Sequence, residues 1–255
     1  MTLSIMSRNT IAYKCIKTIG LLLIYLVIWQ AASMLVGSSL LFPSPHETAK
    51  SLLRLLCDPL CWRDIVYTFL RLLTGFLIGG TAGILLAVLT AKYPLFRWLL
   101  SPLRLLIKAT PVMSFVLILL VSIVSDLVPV VVSAIMVAPL LWATTEQAIL
   151  SLDPKLSEMG HVYFSPSRRL IHIALPQMMP QITASGVTAL GFAWKAVITA
   201  EVLSLPKFAI GNRMYLSKLY LETADTLAWT ILIVSLALAM ELLLRFITKK
   251  GRHDP

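Results

Sequence analysis

"LDPKLSEMGHVYFSPSRRLIHIALPQMMP", Leu152 to Pro180, is a polar, basic interruption in a chain otherwise written for lipid. Its first half reads as a short helix. Asp153 stands at the cap, Pro154 suits the first turn, and Leu156, Met159 and Val162 or Tyr163 fall on one side. A second helix is expected from Ser165 as cap and Pro166 at its first position. Leu170, Ile173 and Ala174 share its face, while Arg168, Arg169 and His172 lie elsewhere. Leu175-Pro176 is expected to stop that helix, because the residue before a proline resists the α region. A helix-turn-helix with an exposed apolar edge points to a docking surface. The same pattern also fits a loop lying against the headgroups.

The rest of the chain supplies the context. Of 255 residues, 58% are hydrophobic and 13% charged, about half the charged share of a soluble domain. Lipid as solvent accounts for the missing polar surface. The net charge of +10 comes from Lys and Arg at the ends of apolar runs, which points to orientation in a membrane rather than to nucleic acid. Three cysteines make no disulfide scaffold. Cys57 and Cys61 read as thiols, with pairing as the alternative if their loop faces an oxidising compartment. His46, His161, His172 and His253 are scattered and give no metal-ligand spacing.

A bilayer core of about 30 Å takes about twenty apolar residues per helix. Six spans follow: Ile19–Gly37, Ile65–Ala91, Ala109–Ser125, Leu127–Thr145, about Gln181–Leu205, and Thr226–Phe246. The third is short and opened by Pro111, and it forms a tight hairpin with the fourth. The first has the flanks of a signal peptide, with "AAS" following Gln30, but its apolar run continues past Ser33. It is therefore read as a span. The expected organisation is an N-terminal segment 1–18, a membrane domain 19–246 carrying the 152–176 loop, and a tail 247–255. The fold class is an all-α membrane protein.

Basic residues set the orientation. Arg8, Lys14, Lys17, Lys92, Arg97, Arg104, Lys108, Lys155, Arg168, Arg169, Arg245, Lys249, Lys250 and Arg252 fall on one side, fourteen in all. Lys50, Arg54, Arg63, Lys207, Arg213 and Lys218 fall on the other, six in all. Both termini and the 152–176 loop are therefore expected in the cytoplasm. On the outer side, "SPHETAKSLLRLLCD" is expected as a helix with Ser44 as cap, Pro45 first and Glu47 three residues on. "GNRMYLSKLYLETAD" is expected as a second interfacial helix. Each rests on the membrane, covers a partner subunit, or serves as a connector.

Within the spans, Arg71 is expected to snorkel, and Glu146 and Glu241 to be solvated near span ends. Gly75, Gly79, Gly80 and Gly83 give small-xxx-small spacing for close helix packing. Lys195 and Glu201 are the deepest ionisable groups. They line a solute path, bind across a dimer, or pair with another helix, since a mid-membrane charge costs about 3 kcal/mol otherwise. Trp194 reads first as packing.

The opening stretch resembles the cytoplasmic signature of ABC-importer permeases: Glu-Ala-Ala, three residues, Gly, about nine residues, Ile, one residue, Leu-Pro. Glu158-Met159-Gly160 stands at Glu-Ala-Ala and Ile173 to Pro176 at the end. Counting forward places Phe164 at the family glycine. Counting back from Pro176 places Tyr163 there and Ser157 at the glutamate. The turn is one residue short, and an aromatic takes the glycine site under either count. Glycine there serves a left-handed backbone, so an irregular turn is expected.

The resemblance extends from about Leu41 to Phe246, in order. "LFPSPHETAKSLLRLL" is similar to the Phe-Pro-Ser-Pro entry of nitrate/sulfonate/taurine-type permeases. "SPLRLLIKATPVMSF" resembles their proline-bearing third span. "ALGFAWKAVITAEVL" resembles their fifth span, where Glu201 matches an acidic position, and Ala209 to Gly211 sits where their outer loop has a similar glycine.

This resemblance implies a type I importer permease with two cytoplasmic ATPases that use ATP and Mg. It also implies an extracytoplasmic solute-binding protein, and a second permease that is identical or not. It assigns ATPase coupling to Glu158, Met159, Gly160, Tyr163, Phe164, Ser165, Pro166, Arg168 and Pro176. Pro111, Ser114, Trp194, Lys195 and Glu201 are its translocation-path candidates. The implied site is the bacterial inner membrane. The sequence contains no phosphate-binding Gly-x-x-x-x-Gly-Lys-Ser/Thr loop and no catalytic constellation. The chain is therefore expected to be no enzyme and to hold no cofactor or metal. The rival reading is a secondary transporter or channel independent of ATP, which favours an inverted repeat and several mid-span charges; neither is seen.

Overall fold

The computed structural model describes the backbone of residues 3–250, and the side chains of residues 17, 20–160 and 162–246. The side chains of Arg8, Lys14, His161, Lys249, Lys250 and Arg252 lie outside it. Among the described residues every regular element is a helix, with no strand. In chain order the helices are α1 (Leu3–Val36), α2 (Pro45–Cys57), α3 (Pro59–Lys92), α4 (Pro94–Ala109), α5 (Val112–Ser122), α6 (Val128–Leu150) and α7 (Pro154–Tyr163). They continue with α8 (Pro166–Arg169), a π turn (Leu170–Ala174), α9 (Leu175–Ser204), α10 (Ile210–Leu219) and α11 (Thr223–Lys250).

Four helices are long and apolar enough to cross a membrane: Pro59–Lys92, Val128–Leu150, Pro166–Ser204 and Thr223–Phe246. The pair α4 and α5 makes a fifth if counted as one span. The described apolar part of α1, Gly20–Val36, is slightly shorter than the other spans. The expected third span is where the structure differs. α5 has 11 residues, about 17 Å of helix, and α4 meets it at 99°. Thr110-Pro111 makes this break, because Pro111 keeps Thr110 extended and gives no N–H to a continuing helix.

The chain divides into two compact units, residues 1–59 with 214–232, and residues 60–213 with 233–255. In the first, α2 begins with a complete capping box. Ser44 Oγ accepts the Glu47 N–H, and Glu47 Oε2 accepts the Ser44 N–H at 2.9 Å. That backbone bond holds the exposed Glu47 carboxyl below the ordinary carboxylate range. The loop between α1 and α2 is tied down by the Trp29 indole N–H on Pro43 O and by the Ser33 hydroxyl on Phe42 O, both at 3.1 Å. Arg54 pairs with Asp225 at 2.5 Å.

The second unit is built on one stripe of α3. Asp64, Thr68, Arg71, Leu72, Gly75, Gly79, Gly83, Ala87 and Thr90 are all buried, at steps of mostly three and four residues. Between apolar helices in lipid, close packing and hydrogen bonds supply the adhesion. Here glycine makes both possible. A Cβ on Gly75 would stand 2.4 Å from Val130 O, on Gly79 2.4 Å from Ala134 O, and on Gly83 2.5 Å from Ala138 O. The rising pairs show α3 and α6 running parallel. Further along, the Trp142 indole N–H donates to Thr90 Oγ1 at 2.9 Å. α9 closes the unit with a small-residue face. Ala196 and Ala200 join Val116 of α5 and Val128 and Val132 of α6 in one buried cluster.

Pro176 does not stop the second helix of the opening stretch. From Pro166 to Ser204 the helix is continuous, because residues 170–174 widen into a π turn in which the Leu175 N–H reaches Leu170 O. A π turn re-pairs the ladder where the proline lacks a donor and where its ring would clash with the preceding turn. The helix that leaves the bundle and the helix that crosses it are thus one mechanical rod.

Candidate functional site

The segment after α6 is held as two helices. Asp153 caps α7 by accepting the Lys155 N–H at 2.9 Å. The Asp153 N–H donates to Gln177 Oε1 at 3.1 Å, and Gln177 Nε2 donates to Ile173 O at 3.1 Å. One side chain of α9 therefore fastens the start of α7 to the π turn. Ser165 takes the cap position of α8 without a side-chain bond. Gly160 is buried where the two helices meet. A Cβ there would stand 2.5 Å from Ile173 Cδ1 and 3.0 Å from Arg169 Cγ, so a larger residue requires those side chains to shift.

The turn between them is regular. Phe164 has φ −127° and ψ 144°, an extended conformation open to any residue. Among the described residues, positive φ occurs at Gly37, Leu205 and Leu221. The expected irregularity is absent, because with one residue fewer the chain turns through extended backbone and needs no glycine. The Phe164 ring lies 5.9 Å from that of His172. α7 presents Leu156, Met159, Val162 and Tyr163 outward, Tyr163 with 75% and Val162 with 78% of their surface exposed. Glu158, Pro166, Arg168 and Pro176 are exposed around them. Behind the stripe, Leu152, Ser157, Arg169 and Gln177 border a cleft of about 360 Å³.

At the far end of α9 lies a buried polar node. Glu201 has no exposed surface. Its carboxylate accepts from Arg71 Nη1 at 3.1 Å, Thr68 Oγ1 at 3.0 Å and the Gly211 N–H at 3.1 Å. Arg71 also donates to Phe208 O at 2.5 Å and to Asp126 at 2.8 Å. Thr68 accepts the Ile210 N–H at 3.1 Å. The loop after α9 reaches this node because Leu205 turns left-handed, at φ 50°. Gly211 permits the approach, since a Cβ there would stand 2.6 Å from Glu201 Cβ. Arg71 does not snorkel; a buried carboxylate within reach outweighs the distant interface.

Glu146 is not solvated either. It is buried in α6 between Arg97 and Arg104 of α4. Asp64 is likewise buried and paired with Arg213 at 2.7 Å. Glu241, in contrast, pairs with Arg245 one turn along on an exposed face.

The remaining path candidates are dispersed. Lys195 is exposed on α9 and borders a cleft of about 490 Å³ with Glu241 and Arg245 of α11. Trp194 is buried and donates to Ile233 O at 3.3 Å. Pro111 is exposed at the α4–α5 break and Ser114 is half-buried just beyond it. The structure brings Glu201 together with Arg71, Thr68 and Asp126, and does not bring it together with Lys195. Sequence reading missed those partners. The signal was present in the spacing of Asp64, Thr68 and Arg71, three polar groups on one face of one span. Among the described residues no cluster of His, Cys, Asp or Glu is arranged to hold a metal, and Cys57 and Cys61 both stand as thiols.

Long apolar helices bundled on glycine and alanine, with a two-helix segment between α6 and α9, define a multi-pass membrane protein. The chain belongs to the family of binding-protein-dependent transport system inner membrane components, which it matches over residues 79–253. It is thus a multi-pass inner-membrane permease of the ABC-importer type. Among its relatives is a probable ABC transporter permease of Brucella melitensis, 24% identical over 81% of this chain and 85% of that protein. The putative aliphatic sulfonates transport permease of Escherichia coli K12 is 27% identical over 69% of this chain and 68% of its own. The taurine transport system permease of the same organism is 21% identical over 91% and 87%. In fold, the chain resembles the inward-facing MetNI methionine ABC transporter. The TM-score is 0.58 at 19% identity, covering 74% of this chain and 93% of that one.

Proposed function

We propose that this permease passes a small anionic solute of the sulfonate class across the inner membrane, driven through α7 by a cytoplasmic ATPase. The observation that carries the coupling reading is the outward stripe of Leu156, Met159, Val162 and Tyr163 on a helix fastened at Gly160 and Gln177. A stripe so exposed needs an apolar groove to cover it, and its rigid attachment to α9 transmits a push from that groove into a span. The chain contributes no catalysis and holds no cofactor. ATP and Mg belong to two ATPase subunits, and a second permease, identical or not, completes the path. A solute-binding protein delivers the solute from outside, and both termini lie in the cytoplasm, as the distribution of Lys and Arg favours.

Lys195 supports the anionic class. It is exposed midway along a membrane helix, where lipid contact costs about 3 kcal/mol, so it faces the partner permease or a watered path. Relatives named for aliphatic sulfonates and taurine agree with a cation there. Pro111 and Ser114 sit at the break that lets α4 and α5 move separately. Glu201 serves by position, holding the loop after α9 against α3.

Uptake in vesicles tests the reading. The account expects accumulation only when the ATPase subunits and ATP are present, and loss of sulfonate uptake in Lys195→Glu. Uptake that persists without the ATPase would establish the secondary-transporter reading instead.

A further inference from the structure

None of the 16 residues of helix α4 is buried. Its polar side chains, Arg97, Ser101, Arg104 and Lys108, recur at four, three and four residues and form one narrow stripe. Its two arginines turn toward α6. Arg97 and Arg104, two turns apart, both reach Glu146 of α6, so α4 crosses α6 with Ser101 near the crossing point. The opposite, broad face is apolar and points away from the bundle, with Leu95 70%, Trp98 76% and Leu105 69% exposed.

Depth along the spans follows from the neighbours. Glu146 lies four residues before the end of α6, and α4 follows directly on the end of α3, so the helix sits at the end of the bundle that carries α7. It also meets α5 at 99°. A helix that crosses the spans there lies at the bilayer interface, where tryptophan and amphipathic helices settle.

Charge decides what covers it. Glu146 is the one carboxylate facing this stripe among the described residues. Against it stand Arg97 and Arg104, with Lys108 exposed at the end of the helix and Lys92 exposed just before its start. A cover must therefore be apolar along about 24 Å of helix and negative at its ends. We propose that the outer face of α4 binds anionic phospholipids of the inner leaflet, with acyl chains along Leu95, Trp98 and Leu105 and phosphates at the two ends of the helix, one at Lys92 and one at Lys108. The inference rests on membrane placement and not on ATPase coupling, so either can fail without the other.

The test uses the full-length chain in nanodiscs of mixed phosphatidylglycerol and phosphatidylcholine, transferred to detergent, with retained lipid counted by native mass spectrometry. The expected result is phosphatidylglycerol held in preference to phosphatidylcholine. Retention should fall about fivefold for each lysine removed, as Lys92→Gln or Lys108→Gln, both exposed side chains whose loss leaves the fold intact. Lys50→Gln in α2 leaves retention unchanged, and Trp98→Gln lowers it for both lipids. Equal retention of the two lipids overturns the proposal, as does phosphatidylglycerol binding insensitive to the lysine variants. Equal loss with Lys50→Gln overturns it too, because the effect is then general surface charge. Displacement of the lipid by inorganic phosphate, or cross-linking of Trp98 to a second copy of the chain, also overturns it.

Discussion

Arg71 and Glu201, 130 residues apart in sequence, meet at 3.1 Å, the arginine 8% exposed and the carboxylate fully enclosed. Each is the counter-charge that makes the other tolerable inside a membrane protein. Removing one leaves an uncompensated buried charge, costing about 3–5 kcal/mol, whereas replacing both by well-packed apolar groups is near neutral. Arg71→Met or Glu201→Leu alone is therefore expected to reduce folded yield and thermal midpoint sharply. The double variant is expected to recover most of the loss. Thermal unfolding of the four proteins in one detergent checks this, and additive losses would show that the two residues act separately.

At Gly79 the α3–α6 contact is backbone on backbone, with the position a Cβ would take lying 2.4 Å from Ala134 O and 2.7 Å from Ala134 Cα. Backbone atoms cannot turn aside as a side chain does. Gly79→Ala is expected to destabilise by about 1–3 kcal/mol, and Gly79→Leu to abolish stable insertion. Gly186, which has nothing within 4 Å of the same constructed atom, should accept alanine with no measurable change. Parallel unfolding measurements on the two alanine variants separate packing from a general intolerance of glycine replacement.

The turn at Phe164 makes a prediction against family expectation. Its backbone is extended, so Phe164→Gly gives no conformational relief and removes the ring beside His172. Added backbone freedom destabilises by roughly 0.5–1 kcal/mol. Limited proteolysis of the 152–176 segment is expected to quicken in this variant. Slower cleavage would mean that the turn is strained with phenylalanine in place.

Much of this architecture was readable in the residues. The capping box of α2 was legible because Ser44, Pro45 and Glu47 act within one turn, and local hydrogen bonding depends on little else. The cap at Asp153 was legible for the same reason, whereas Ser165 holds its cap position without a side-chain bond. The break at Pro111 was marked by its proline, yet the 99° angle was not, since direction is set by what α4 and α5 pack against. The partners of Glu201 were illegible because they come from α3 and from the start of α10. A lone arginine in an apolar run reads equally well as snorkelling. Pro176 misled for a physical reason: a proline forbids one hydrogen bond, and a π turn satisfies that restriction without ending the helix.

Gly160 links the lever to the bundle. Gly160→Val sets a branched side chain against Ile173 and the Arg169 stem and is expected to loosen α7 from the rod. The chain is expected to insert normally and to retain its ATPase, while solute no longer stimulates hydrolysis. Glu158→Lys, on the exposed rim of the same helix, is expected to weaken ATPase association in a salt-dependent way, since rim charges are screened. Association measured at low and high salt distinguishes the two defects.

The central claim is that the outward face of α7 is the surface an ATPase grips. Tyr163, 75% exposed, tests it with least risk to the fold. In proteoliposomes holding the permease, its ATPase and the solute-loaded binding protein, Tyr163→Asp places a charge in the proposed groove. Loss of a central aromatic anchor costs about 2 kcal/mol or more, so stimulated ATP hydrolysis should fall by at least about thirtyfold at limiting ATPase, with the permease still inserted. Stimulated hydrolysis equal to that of the unaltered protein would contradict the account.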